Sequence, residues 1–279
     1  MQESIPDEPA DAILALDIAL VPSLLAPAAR DRRAPVYIVV DVIRATTTLS
    51  VLVERGCAGV YVAADVTRAR AAAVALARGG HAERPLLIGE VGGVAPPDFD
   101  FGNSPAELST VDLKGRTVVF ATTNGTRALH ACAGFGPTLA GSLRTASATA
   151  AAALAIATRR HAAGITIVCA GRDGLPAYDD TVCAGILAQR LAGLAERSGR
   201  AVAASESARI ALATVPDPAD VATLRAALTS SAAFQSIANL GLAADLEWCA
   251  AVDTSGAVCA AAPAPPRDGL VVVMPLDAY

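Results

Sequence analysis

Val36-Tyr-Ile-Val-Val-Asp-Val-Ile-Arg-Ala-Thr-Thr-Thr-Leu49 is the stretch whose reading decides the fold. Its first residues are apolar and mostly β-branched, the composition of a strand buried on both faces, and the run stops at the carboxylate of Asp41. Arg44 follows, then the hydroxyls of Thr46, Thr47 and Thr48, and then an apolar pattern of helical period. Strand, polar turn and helix in that order form the unit of a parallel α/β sheet. Two further stretches have the same form: Thr117-Val-Val-Phe-Ala-Thr-Thr-Asn-Gly-Thr-Arg127, and Gly164-Ile-Thr-Ile-Val-Cys-Ala-Gly-Arg-Asp-Gly174 with Asp179 and Asp180 beyond it. Open α/β sheets bind ligands outside the carboxyl ends of their strands. Three such strands lying side by side and parallel would bring these polar tips together.

Outward from these units, strands are expected at 12–21, 59–63, 85–88, 137–142 and from Leu270 to the C-terminus. Helices are expected over 49–56, 65–77, 127–132, from Ser147 or Thr149 to Arg160, and over 181–191, with stops at Gly56 and at Gly79-Gly80. Arg30 to Arg33 reads as a charged surface loop. From about residue 192 the pattern is almost entirely helical, with a loop at 215–218, late strands at 245–249 and 252–253, and a turn over 263–269. The alternation predicts an α/β fold of three-layer αβα type with mostly parallel sheets. The match of the opening stretch to the Thr117 stretch suggests two similar halves, about 10–115 and 116–279, in one domain spanning 10–279. Within the first of these, Gly92 to Pro105 carries more Gly and Pro than a plain crossover needs and reads as a substrate-side loop.

Bulk properties narrow the function classes. The net charge of −5 provides no positive field for a polyanion, and aromatic residues are only 4 %, so a nucleic-acid binder is disfavoured. Mean hydropathy is +0.46, much of it alanine, but no apolar run reaches the roughly 18 to 20 residues needed to cross a bilayer. The acidic N-terminus is unlike a signal peptide. Six cysteines without a Cys-x-x-Cys pair read as buried reduced thiols of a cytoplasmic protein, and three histidines without metal-ligand spacing argue against a histidine-built zinc centre.

The polar tips suggest chemistry. Asp41, Glu90, Asp179 and Asp180 are oxygen ligands of the kind that suits Mg²⁺, which takes one or two carboxylates and keeps water and substrate oxygens. Arg44, Arg127, Arg144 and Arg172, with backbone amides of the Asn124-Gly125-Thr126 turn, suit a phosphate or sulfonate. Together they read as a metal-assisted phosphoryl site. A phosphate-binding P-loop, a Gly-x-Ser-x-Gly elbow, a Cys-x₅-Arg loop and a dinucleotide fingerprint are all missing. Asp98-Phe-Asp100 has the spacing of an aspartyl-phosphate motif, but it follows two prolines rather than a strand and reads as structural loop.

Taken in order, Asp41-Val-Ile-Arg-Ala-Thr-Thr-Thr48, Gly89-Glu90, Phe99-Asp-Phe-Gly-Asn-Ser-Pro105, Thr122-Thr-Asn-Gly-Thr-Arg127, Gly141-Ser142, Val168-Cys-Ala-Gly171, Asp180 with Cys183-Ala-Gly185, and Leu240-Gly-Leu-Ala-Ala-Asp245 resemble the ComB family, the 2-phosphosulfolactate phosphatases. The resemblance implies two similar α/β parts in one compact body. It also implies a Mg²⁺-dependent hydrolase acting on (2R)-2-phospho-3-sulfolactate, a small anionic phosphate ester, in a step toward coenzyme M; a homo-oligomer is compatible with it. By the resemblance, Asp41, Glu90 and Asp180 become metal or catalytic carboxylates. Arg44 and Arg127 become anion holders, with Arg172 beside them, and Asn103, Ser104, Thr123, Asn124, Gly125 and Thr126 the lining. The chain departs from the family pattern at Val91, where an arginine is usual, around Arg144-Thr145, and at Asp179, where a glutamate is usual. Loss of an arginine beside a multiply charged substrate opens a second reading, a phosphatase for another small phosphorylated 2-hydroxy acid. A non-catalytic binder of small anions is a third.

Overall fold

The computed structural model describes residues 13–25, 33–78, 83–217, 220–264 and 269–278. The glycine stop expected at Gly79-Gly80, the charged stretch before Arg33 and most of the turn over 263–269 lie outside the described residues. The first part of the chain forms β1 (Ile13–Ala19), β2 (Val36–Val40), α1 (Ala45–Glu54), β3 (Gly59–Ala63), α2 (Val66–Arg78), β4 (Leu86–Gly89) and α3 (Pro105–Leu108). Then come β5 (Thr117–Ala121), α4 (Gly125–Ala133), β6 (Thr138–Gly141), α5 (Ala146–Arg160), β7 (Ile165–Cys169), α6 (Tyr178–Arg197) and β8 (Ala201–Ala204). The remainder forms α7 (Glu206–Ala213), α8 (Val221–Thr229), α9 (Ala232–Asn239), α10 (Asp245–Cys249), β9 (Cys259–Pro263) and β10 (Leu270–Pro275).

The fold is α/β, a mixed and mostly parallel sheet between helical layers. Ten strands form one sheet in the order β4-β5-β3-β10-β9-β6-β2-β7-β1-β8. Alternation along β2 explains the layers. Val36, Ile38 and Val40 pack into one core with α5 and α6, whereas Tyr37 and Val39 pack into the opposite core with α1 and α4. Burying both faces of a strand removes every side chain from water at roughly 1.5–3 kcal/mol each, which is why β2 needs no polar residue before Asp41.

The strand order from β4 to β7 is a palindrome. β4, β5, β3 and β10 correspond to β7, β2, β6 and β9, and each parallel or antiparallel pairing on one side has its counterpart on the other. Along the chain, β2-β3-β4 repeats as β5-β6-β7, and the first strand of each set inserts between the second and third strands of the other. The two sets are thus interleaved within one sheet.

Several expectations change. Only β2 and β7 of the three key strands are neighbours; β5 lies beyond β6, β9, β10 and β3. Three successive antiparallel pairings, β6 with β9, β9 with β10 and β10 with β3, reverse its direction relative to β2. Residues 245–249 are the helix α10, and 252–253 form no strand. The supposedly helical last third contributes β8 to the sheet edge and β9 to its centre, both alanine-rich runs whose composition favours a helix until neighbouring strands pair with them. β10 pairs with β3 and β9, returning the C-terminal strand to the sheet as expected. Helix α1 starts at Ala45 and absorbs all three threonines, because Thr46 and Thr47 hydroxyls bond back to the carbonyls of Asp41 and Val42 at 2.9 and 2.8 Å.

Candidate active site

A cavity of about 200 Å³ lies where the ends of β2, β4, β5 and β7 meet, with α9 over one side. Convergence does not depend on adjacency. The helices that follow β2 and β5 pack against each other and over the central strands, and twist of roughly 20–25° per strand pair accumulates between β5 and β2. The two helix N-termini consequently touch. A Cβ on Gly125 would stand 2.6 Å from Ala45 Cβ and 2.6 Å from Asp41 Oδ2, so only glycine permits the approach.

Asp41 occupies this meeting point. Its Oδ1 accepts a hydrogen bond from the Ala45 amide at 3.3 Å, and the Gly125 amide also favours its charge. Burial and the neighbouring Glu90 charge nevertheless outweigh these amides and Arg44, pushing its pKa up to about 6. Asp179 and Asp180 enter from the first turn of α6, whose dipole suits carboxylates. Burial, followed by the charge of Asp41, raises Asp179 to about 7, against its own and Asp180's amides and Arg172. Burial and the charges of Asp179 and Asp41 push Asp180 well above the usual carboxylate range.

The acids differ in what holds them. Asp180 accepts from the Val42 amide at 2.9 Å and the Gly171 amide at 3.0 Å, clasping the ends of β2 and β7 together. Glu90 accepts from the amides of Thr123 and Gly93, each at 2.7 Å, clasping the ends of β4 and β5. All four acids, Asp41, Glu90, Asp179 and Asp180, line the cavity. Among the described residues no three acidic, histidine or cysteine side chains converge into a ready-made metal centre. Asp41, Glu90 and Asp180 all line the cavity, each already accepting from backbone amides. The donor set still fits Mg²⁺, which is held through one or two carboxylates plus waters, and a divalent cation would relieve the repulsion that raises Asp41 and Asp179.

Arg44 is buried and doubly anchored: Nη1 donates to Asp245 Oδ2 at 2.8 Å and Nη2 to the Gly93 carbonyl at 2.7 Å. Asp245 also accepts from the Ser104 hydroxyl and, at 3.3 Å, from the Ala106 amide. Ser104 in turn caps α3 through the Glu107 amide at 3.1 Å. Asn103 lines the cavity, and its buried Oδ1 has no partner among the described residues. Arg172 lines the same cavity.

The structure thus gathers Asp41, Arg44, Glu90, Asn103, Thr123, Asn124, Arg172 and Asp180 around one cavity. It sets Ser104, Gly125 and Thr126 behind the lining: Ser104 on Asp245, Gly125 against Asp41, and Thr126 in a mutual bond with Thr122. Arg127 is exposed on α4 and does not line the cavity, because it follows the wall-forming turn on the solvent side of the helix. Arg144 is also engaged elsewhere, paired with Glu54 and lying 4.6 Å over the Trp248 ring. Asp98 and Asp100 pair with Arg70 and Arg84, in keeping with a structural loop. Asp179 and Asp245 are the partners that sequence undervalued. Asp179 could be found as one of an acidic pair at a helix start, whereas nothing local ties Asp245 to Arg44. Burial pushes the Cys132 and Cys259 thiols up to about 12 and keeps them protonated. No helix of the described residues is long and apolar enough to cross a membrane.

Residues 23–262 match the family profile described as 2-phosphosulpholactate phosphatase. The chain is 40 % identical over 227 residues to a probable 2-phosphosulfolactate phosphatase of Thermus thermophilus, covering 80 % of this chain and 86 % of that one. A protein of the same description from Deinococcus radiodurans is 38 % identical over 221 residues, covering 79 % and 85 %. One from a Synechococcus strain is 32 % identical over 230 residues, covering 82 % and 90 %.

Proposed function

The chain belongs to the 2-phosphosulfolactate phosphatase family and is a phosphoric monoester hydrolase, and from that premise we propose that it converts (2R)-2-phospho-3-sulfolactate into 3-sulfolactate and phosphate. The observation that carries this reading is the confluence of Asp41, Asp179 and Arg44 at the contact of two helix N-termini. Mg²⁺, held by Asp41 with Asp180 beside it, would supply charge neutralisation at the phosphoryl oxygens. Arg44 is oriented by Asp245 and the Gly93 carbonyl, and its cationic face meets the same oxygens. The amides of Thr123 and Gly93 hold Glu90 and thereby fix the wall opposite Asp41.

A water attacks phosphorus in line and gives a proton to Asp179, whose carboxylate lines the same cavity as Asp41. The ester P–O bond breaks, and the leaving oxygen of sulfolactate takes up that proton. Asp41, fixed by Ala45 and Gly125, is also placed to attack phosphorus itself. A phosphoryl group on Asp41 after acid quench of the working enzyme would select that route.

Phosphate release from phosphosulfolactate and from phospholactate, with Mg²⁺ and with chelator, tests the proposal. Metal-dependent release from phosphosulfolactate supports it, and release from phospholactate alone replaces it with a phosphatase for another small phosphorylated 2-hydroxy acid. Binding of both without release would make the protein a small-anion binder. Asp41→Asn removes most metal-dependent turnover while the melting temperature stays near that of the parent; undiminished turnover overturns the site.

A further inference from the structure

Strands β4 and β7 occupy equivalent places in the palindromic sheet, and each is followed by a two-residue hairpin at the cavity rim. Val91 and Val94 pair across Gly92-Gly93, and Arg172 and Leu175 pair across Asp173-Gly174. Both central residues of each turn have positive φ, 62° and 91° in the first and 53° and 79° in the second, as a type I′ hairpin requires. The two turns are counterparts in fold and conformation, and Gly92, Gly93, Arg172 and Asp173 all line the cavity.

Their chemistry differs. The first turn bears no charge and presents the Gly93 carbonyl to Arg44. The second carries both Arg172 and Asp173. The cavity therefore has two arginines in its lining, each with its own acid: Arg44 bears on Asp41 and Arg172 on Asp179. Arg44 is committed, its side chain 2 % exposed and ion-paired to the buried Asp245. Arg172 is 42 % exposed, donates one bond to the Ala232 carbonyl at 2.8 Å, and faces Asp173 only at 3.7 Å. An exposed pair of that kind contributes little and is readily exchanged for a better anion.

We propose that Arg172 is a specificity-determining residue, which reads a second acid group on the substrate while the phosphoryl group lies at the Asp41–Arg44 end. The ligand class is a small phosphate ester bearing a carboxylate or sulfonate within a few bonds of the ester oxygen. This rests on the phosphatase reading above. A guanidinium suits either acid group, because its planar fork can bond two oxygens at once.

The test compares kcat/KM for 2-phospholactate with that for isopropyl phosphate, which lacks the acid group, in the parent, Arg172→Gln and Arg172→Lys proteins. The parent prefers the acid-bearing ester; Arg172→Gln lowers the ratio about tenfold, and Arg172→Lys restores part of it because charge remains. A ratio in Arg172→Gln within twofold of the parent overturns the inference and leaves the phosphatase reading standing. Calorimetric binding of 3-sulfolactate, which needs no turnover, is the second measurement. Weaker binding in Arg172→Gln with recovery in Arg172→Lys upholds the role of Arg172 even where no ester is hydrolysed, in which case the phosphatase reading alone fails. Equal binding by all three proteins, or loss of binding in Arg172→Lys as complete as in Arg172→Gln, assigns Arg172 to holding α9 through Ala232 and overturns the inference.

Discussion

Replacing Asp245 by alanine probes the link between the fold and the site. Asp245 is buried and serves three donors: Arg44 Nη1 at 2.8 Å, the Ser104 hydroxyl, and the Ala106 amide at 3.3 Å. Breaking a buried ion pair from one side costs about 3–5 kcal/mol, since the remaining charge is left uncompensated. Arg44 retains only its bond to the Gly93 carbonyl, so the loss belongs in that range rather than near the small values of surface pairs. At about 2–4 °C per kcal/mol for a chain of this size, the melting temperature falls by roughly 6–20 °C. Scanning calorimetry with urea titration measures it. Asp245→Asn loses less, because its amide oxygen still accepts one bond. The double variant Arg44→Met with Asp245→Leu removes both charges and recovers much of the stability while remaining inactive. An Asp245→Ala protein within about 1 kcal/mol of the parent, or a double variant no more stable than the single, would refute the assignment of Asp245 as the buried counter-charge of Arg44.

Titration gives a second prediction. Burial raises Asp41 from 3.8 to about 6 and Asp179 from 3.8 to about 7, so the folded protein binds more protons than the unfolded chain between those values. Stability in chelator is therefore higher near pH 4 and declines as pH rises through 7, and Asp179→Asn flattens that decline; thermal melts across this range check it. Gly125→Ala forces a Cβ within 2.6 Å of both Ala45 Cβ and Asp41 Oδ2. It costs about 1–3 kcal/mol by overpacking and lowers turnover as well, measured by melting and phosphate release, whereas a wall of flexible side chains would show neither loss.

Much of the architecture is legible locally. The period-two alternation of β2 places its residues in two different cores, and the apolar runs of β5 and β7 become strands for the same reason. The acids at the strand ends were readable too, because a carboxylate that terminates a buried run has to meet either water or a ligand. Secondary structure failed where composition and context disagree. Ala201–Ala204 and Cys259–Pro263 carry no strand signal of their own and become strands through pairing with β1, β6 and β10. Arg127 shows the limit of motif reading: it is two residues from the buried Gly125, yet the helical turn carries it to the surface.

The sequence by itself determined the α/β class, the repeated strand-turn-helix units, and the identity of Asp41, Arg44, Glu90 and Asp180 as residues that gather at one cavity. These follow from periodicity and polarity over short windows. Tertiary structure decided how the tips meet: through the interleaved strand sets β2-β3-β4 and β5-β6-β7 and the contact of Ala45 with Gly125, not through neighbouring strands alone. It also decided which backbone amides hold each acid, that Arg44 leans on Asp245 201 positions away in the chain, and that Arg172 stands as the counterpart of Val91. Pairings of that kind depend on strand order and helix packing across the whole sheet, where no local pattern constrains them.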